Sequence, residues 1–298
     1  MQIVIYNSIA ADTKTEEFYM HKHVLLVNDM SAYGKVALSA MIPVLAHVGV
    51  NSSYLPTALA SNTVDYGNYH ILDTTDFMKE SLRVWKELGF SFDAIATGYI
   101  TNATQAEIVR DYCCEQASKG IPFFCDPVLG DNGELYPGKT EKDVENMRNL
   151  AVCASVLMPN YTEAALLTGE KYLDNPGEQD IRRIIDKLRE MGPKSIVMTS
   201  VRVDGVYQVC CYDSVTDHYF NLPINSIPVH FPGTGDIFAA MLVGNYLNGQ
   251  GLETSVARAM LGVRAVIAEN QDQADKFGGV PIESCLEVLE DFRGILDD

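Results

Sequence analysis

Apolar residues along the 298-residue chain fall into short unbroken runs that alternate with longer stretches of helical period. The runs HVLLVN (23–28), VNSSYLPTAL (50–59), FDAIATGY (92–99), IPFFCDPV (121–128), ASVLMPN (154–160) and SIVMTS (195–200) predict strands. Between them, helices are predicted over 34–49, 73–89, 102–120, 140–151, from Thr162 onward, and over 178–192. The second of these offers Asp73, Thr74 or Thr75 as its cap and Gly89 as its stop. Strands without polar alternation, each followed by a helix, predict a parallel sheet covered on both faces. The pattern changes at VYQVCCYDSVTDHYFNLP (206–223), two β-rich runs joined by turn residues, which predicts an antiparallel hairpin. Helices dominate from Gly233 to the end.

No repeat or linker divides the pattern, so residues 22–298 are expected to form one α/β domain. Residues 1–21 lie before the first fold-like run. They are expected to be an extension, with Met20 as an alternative start, because they lack the basic region of a signal peptide.

Composition removes whole classes of function. A net charge of −18 opposes nucleic-acid binding, which needs a basic face. No apolar run is long enough to predict a transmembrane helix. The seven cysteines have neither zinc nor redox-motif spacing. They are expected to be small buried hydrophobes in a reducing cytoplasm.

The candidate chemistry centres on HFPGTGDIFAAML (230–242), a glycine-rich turn opening a helix with a carboxylate, Asp236, in its first turn. A Rossmann turn would need a small residue where Phe238 stands, and no stretch fits G-x-x-x-x-G-K-[ST]. The remaining reading is an anion hole. The N–H groups of Gly233, Thr234 and Gly235 point from a helix N-terminus at developing charge. Asp236 beside them takes the proton of an attacking hydroxyl. The alternative is that Asp236 only caps a helix.

Carboxylates elsewhere weigh on that choice. In sheets of this kind, ligands bind beyond the carboxyl ends of the strands. Polar residues recur there: Asn28 and Asp29, Tyr99, Asp126, Asn160, and Thr199 with Ser200. Asp126 and Asp131 in DPVLGD, and Asn160 and Glu163 in NYTE, supply the carboxylates and amide of a metal and phosphate site.

GTGD together with an upstream NYTE resembles the ribokinase-like superfamily. VNDMSAYGKVALSAMIPVLAHVGV, ATGYI, DPVLGDNGELY and MPNYTEAALLTG resemble its vitamin B6 branch, the pyridoxal/pyridoxine/pyridoxamine kinases. The resemblance runs from about Val24 to about residue 290. It implies a three-layer α/β/α sandwich with a mostly parallel sheet, usually homodimeric. It also implies transfer of the ATP γ-phosphate, with Mg²⁺, to the 5′-hydroxymethyl group of a B6 vitamer; use of a monovalent cation is left open.

By motif position, Asp236 is the implied base and Gly233, Thr234 and Gly235 the anion hole. Asn160, Thr199, Ser200 and Thr234 are the implied ATP contacts. Asp126, Asp131 and Glu163 are the implied metal-side carboxylates. Asp29, Ser31, Thr63 and Tyr99 are the implied acceptor contacts. The chain departs from the family in LASNTVDYGNY, where Asn62 and Val64 stand for the usual histidine and glycine around the threonine. Hydroxymethylpyrimidine kinases often carry cysteine at the position of Asp236, which favours the B6 branch. A kinase for hydroxymethylpyrimidine or a sugar, and a silent vitamer- or nucleotide-binding sensor, remain as alternatives.

Overall fold

The computed structural model describes residues 22–290, so the expected N-terminal extension lies outside the described residues. In chain order the elements are β1 (His23–Ser31), α1 (Leu38–His47), β2 (Asn51–Ala60), β3 (Ile71–Asp73), α2 (Thr75–Leu88), β4 (Ala94–Thr97), α3 (Ala103–Ser118) and β5 (Phe123–Cys125). They continue with β6 (Gly130–Asp131), β7 (Glu134–Leu135), α4 (Glu141–Ala151), β8 (Val156–Leu157), α5 (Tyr161–Thr168) and α6 (Glu178–Glu190). The chain then forms β9 (Ser195–Val203), β10 (Val206–Asp213), β11 (His218–Pro223), α7 (Thr234–Leu247) and α8 (Leu252–Asn270).

Nine strands make one sheet in the order β11-β10-β9-β8-β5-β4-β1-β2-β3. Its centre is parallel, and antiparallel pairs occur only at the edges, β9–β10–β11 on one side and β2–β3 on the other. Successive strand residues point to opposite faces. Val24 and Leu26 therefore join one apolar layer with α1, α7 and α8, while Leu25 and Val27 join another with α2 to α6. This is the three-layer sandwich the sequence predicted. Among the described residues no helix is long and apolar enough to cross a membrane.

The connection out of β1 runs to β2 and that out of β4 runs to β5, so the chain moves in opposite directions from two adjacent strands. Such a switch point leaves a crevice at the carboxyl ends of β1 and β4. Asn28 and Asp29 lie in β1 just past its last pairing with β4, at Val27, and Gly98 and Tyr99 follow β4. The β1–β2 register also slips between Asn28 and Met30, a bulge that re-aims Asp29.

Several expectations need correction. The helix expected over 34–49 begins only at Leu38. Residues before it form a turn in which Gly34 and Ala37 have φ of 101° and 49°. Residues 71–73 add an antiparallel edge strand, and DNG in 131–133 closes a small β6–β7 hairpin, neither of which the apolar pattern predicts. The expectation of seven free cysteines fails at two of them. Cys114 in α3 and Cys153 after α4 form a disulfide, their Cα atoms 5.4 Å apart. Spacing along the chain does not reveal a pair that only helix packing brings together. The other five are free and buried, as expected.

Candidate active site

Helix α7 is apolar on all sides and is buried along most of its length, which fixes its first turn relative to the sheet. Gly233 caps it in the left-handed region, φ 84°. A Cβ on Gly233 would stand 2.2 Å from the Lys35 carbonyl oxygen, so only glycine lets the turn pack on the β1–α1 loop. The first four N–H groups of a helix have no partner within it, so the turn presents the Gly233, Thr234, Gly235 and Asp236 amides. An added Cβ on Gly235 would meet no protein atom within 4 Å: space is open there.

Asp236 is held from two sides. Its Oδ2 accepts the Ala37 N–H at 2.7 Å, and its Oδ1 accepts from Asn28 Nδ2 at 3.1 Å. Burial pushes its pKa above the usual carboxylate range, against the opposing pull of those two hydrogen bonds.

Asn28 is the hub of the arrangement. It is buried, and its Oδ1 accepts from the Asp29 N–H at 3.0 Å and the Tyr99 N–H at 2.7 Å. One amide thus ties the end of β1, the end of β4 and the Asp236 carboxylate together. Gly98 makes room for it, since a Cβ there would lie 2.4 Å from Asn28 Nδ2. Sequence reasoning noted Asn28 as a strand-end residue but gave it no role. The glycine at 98 was the available signal.

The expected acceptor residues divide. Asp29 and Tyr99 stand at the crevice. Asp29 has its pKa raised to about 7 by burial and by the negative charge of Asp236, with Lys139 opposing. Lys139 Nζ lies 4.2 Å from the centre of the Tyr99 ring. Ser31 and Thr63 are both buried and serve the loops. The Ser31 hydroxyl donates to the Tyr33 carbonyl at 2.8 Å, and that of Thr63 to the Phe277 carbonyl at 2.6 Å.

An acid with a raised pKa in the fold favours folding while it stays protonated. That contribution is complete below the unfolded value near 3.8 and is lost as pH rises through about 7. Asp29→Asn is therefore expected to raise the melting temperature by several degrees at pH 8 and by less at pH 5. Thermal unfolding at the two pH values checks this, and an equal shift at both would overturn the assigned cause.

The carboxylates on the other flank are Asp126, Asp131 and Glu163. Glu163 is buried, and its two oxygens accept the N–H groups of Leu129 (2.9 Å) and Asn160 (2.8 Å). Asn160 Oδ1 in turn accepts from the Glu163 N–H at 2.9 Å, and its Nδ2 donates to the Gly130 carbonyl at 2.8 Å. N-x-x-E is thus a capping box that stitches the 129–130 loop to α5. Both side chains are occupied by backbone, which fixes that loop. Asp131 accepts from the N–H and side-chain amide of Asn132 in the hairpin turn.

Asp126 is pushed far above the usual range by burial and by the negative charges of Glu163 and Asp236. Among the described residues no three acidic, histidine or cysteine side chains form a ready metal cage. The donor set instead fits a cation that brings its own oxygen ligands, since Mg²⁺ usually takes one or two carboxylates with phosphates and water. Tyr136, absent from the sequence-based list, stands among the charges of Glu163, Asp131, Asp126 and Asp236.

Thr199 and Ser200 lie where the β9–β10 register slips, and Ser200 has φ 58°. They do not end the strand as expected, since β9 runs on to Val203; the bulge turns them out within it, and the Thr199 N–H donates to the Pro159 carbonyl at 2.9 Å, beside Asn160. Beside the segment that leads into the glycine turn, a cavity of about 510 Å³ is lined by Asp65, Pro228, Val229, His230, Pro232, Lys276 and Phe277.

The chain is similar in sequence and fold to known proteins. The phosphomethylpyrimidine kinase family model matches residues 38–281. A protein from Bacteroides thetaiotaomicron described as a phosphomethylpyrimidine kinase, crystallised with pyridoxal, is 33% identical; the match covers 91% of this chain and 96% of that one, with a TM-score of 0.85. The pyridoxal kinase of Lactobacillus plantarum is 30% identical over 90% of this chain and 96% of its own, with a TM-score of 0.81. The pyridoxal kinase of Arabidopsis thaliana is 29% identical over 202 residues, 65% of this chain and 64% of its own length, so the match spans just under two thirds of that relative. The chain belongs to the phosphomethylpyrimidine kinase family of the ribokinase-like superfamily, in company with the pyridoxal kinases.

Proposed function

We propose that the protein transfers the γ-phosphoryl group of ATP to the 5′-hydroxymethyl group of a vitamin B6 vitamer. The observation that carries this reading is Asp236, half-buried at the N-terminus of α7 and fixed by Asn28 Nδ2 and the Ala37 N–H beside the Gly233 turn. The acceptor lies against Asp29 and Tyr99 with its hydroxyl on Asp236. As that oxygen forms its bond to the γ-phosphorus, its proton passes to Asp236 and the bond to the leaving ADP oxygen breaks. An acid with a raised pKa accepts such a proton readily. Amides of Gly233, Thr234 and Gly235 hold the charge on the transferred group.

Thr199 and Ser200, turned out by their bulge, line the nucleotide side together with Thr234. Mg²⁺ would be held by Asp126, with Asp131 at its edge and Glu163 fixing the loop, and would neutralise phosphate charge. The protein works in the cytoplasm as a homodimer. Exposed Leu59, Ile71 and Leu72 on the β2–β3 edge supply an apolar face for the second copy.

The test is phosphorylation by ATP and Mg²⁺ of pyridoxal, pyridoxine, pyridoxamine and hydroxymethylpyrimidine, run side by side. Turnover of a B6 vitamer supports the reading. Preference for the pyrimidine keeps the mechanism and changes the acceptor. Bound ATP without turnover of any acceptor favours a sensor.

A further inference from the structure

Lys139 was not among the residues the motifs singled out. It follows the β6–β7 hairpin and immediately precedes Thr140, the cap of α4, so its backbone is fixed on both sides. The Lys139 N–H donates to the Tyr136 carbonyl at 3.0 Å. Its side chain turns toward the crevice. Nζ donates to the Ile100 carbonyl at 2.7 Å while lying over the Tyr99 ring. Two contacts of different kinds thus hold one ammonium at the acceptor side, a hydrogen bond and a cation–π stack.

The charges around the acceptor are few. Those acting on Asp29 are Asp236 and Lys139, and those acting on Lys139 are Asp143 and Asp29. The acceptor therefore meets two carboxylates offset by one ammonium. The B6 vitamers differ in charge at a single substituent: pyridoxamine carries an aminomethyl ammonium, whereas pyridoxine and pyridoxal carry none.

The geometry points to Lys139 as a specificity-determining residue that disfavours acceptors bearing an additional positive charge. This rests on the B6 kinase reading and deepens it. Lys139 also ties the loop that carries Tyr136 to the segment after β4 that carries Tyr99, so its position is shared between the two flanks of the site.

The experiment compares KM and kcat for pyridoxamine and pyridoxine in the wild type, Lys139→Met and Lys139→Arg. In Lys139→Met, the KM of pyridoxamine relative to that of pyridoxine is expected to fall about three- to tenfold, the scale of one partly screened charge nearby. KM should move more than kcat, and the KM of ATP should shift equally with either vitamer. Lys139→Arg should keep the wild-type ratio, because it keeps the charge. The difference between wild type and Lys139→Met should shrink as salt is raised.

Lys139→Gln gives the same readout if the methionine variant is insoluble. An unmoved ratio in the neutral variants overturns the proposal, as does an arginine variant that behaves like methionine, since packing would then be the cause. A wild type that phosphorylates neither vitamer removes the underlying reading as well. Turnover with an unmoved ratio removes the role of Lys139 alone.

Discussion

Asp236→Asn is expected to lower kcat by roughly 10²- to 10⁴-fold, the usual contribution of a positioned general base, while ATP still binds. The substitution is nearly isosteric, and the amide oxygen can still accept from the Ala37 N–H or Asn28 Nδ2. What it removes is a place for the hydroxyl proton. It also removes one of the negative charges acting on Asp126 and Asp29, so the fold should be no less stable and the apo protein should melt at the same or a higher temperature. Single-turnover phosphorylation and nucleotide titration, read with a melting curve, separate these effects. A variant that turns over normally would return Asp236 to the role of a helix cap.

The second large effect concerns two glycines on either side of Thr234. Gly233→Ala combines a left-handed φ of 84° with a Cβ 2.2 Å from the Lys35 carbonyl oxygen. Neither backbone can yield without moving the Ala37 N–H that holds Asp236. We expect the melting temperature to fall and kcat to drop at least a hundredfold, on the scale of losing oriented donors at a transition state (~10²–10³-fold). Gly235→Ala differs in kind. Its Cβ enters open space, so the fold should tolerate it and the melting temperature should hold. The new methyl group would occupy the volume assigned to the transferred phosphoryl group, and kcat/KM for ATP should fall. Melting and steady-state measurements on both variants check the pair. If Gly235→Ala is as unstable as Gly233→Ala, the turn is structural and the open space is not a ligand volume.

The sheet, its flanking helices and the late hairpin were legible because strand and helix leave different periods in the sequence. The edge strand at 71–73 was not, since all three of its residues are exposed and carry no burial pattern. The helix start at Leu38 was missed because Gly34 to Ala37 read as helix-compatible until packing imposes positive φ on two of them. At the site, Asp236 and the glycine turn were visible as a local motif. Asn28 and Lys139 act across the fold and have no local signature. Asn160 and Glu163 were legible as a spacing, but the spacing could not say that both side chains are spent on backbone.

Helix α7 has a consequence for motion. Its residues from Ile237 to Asn245 are nearly all buried, between the sheet and α1 and α8, whereas β3 is a three-residue strand at an open edge. Amide hydrogens along that helix can exchange with solvent only through opening of the whole domain, while those at the rim exchange through local fraying. The carboxylate that begins the helix is thus anchored to the part of the fold that opens last.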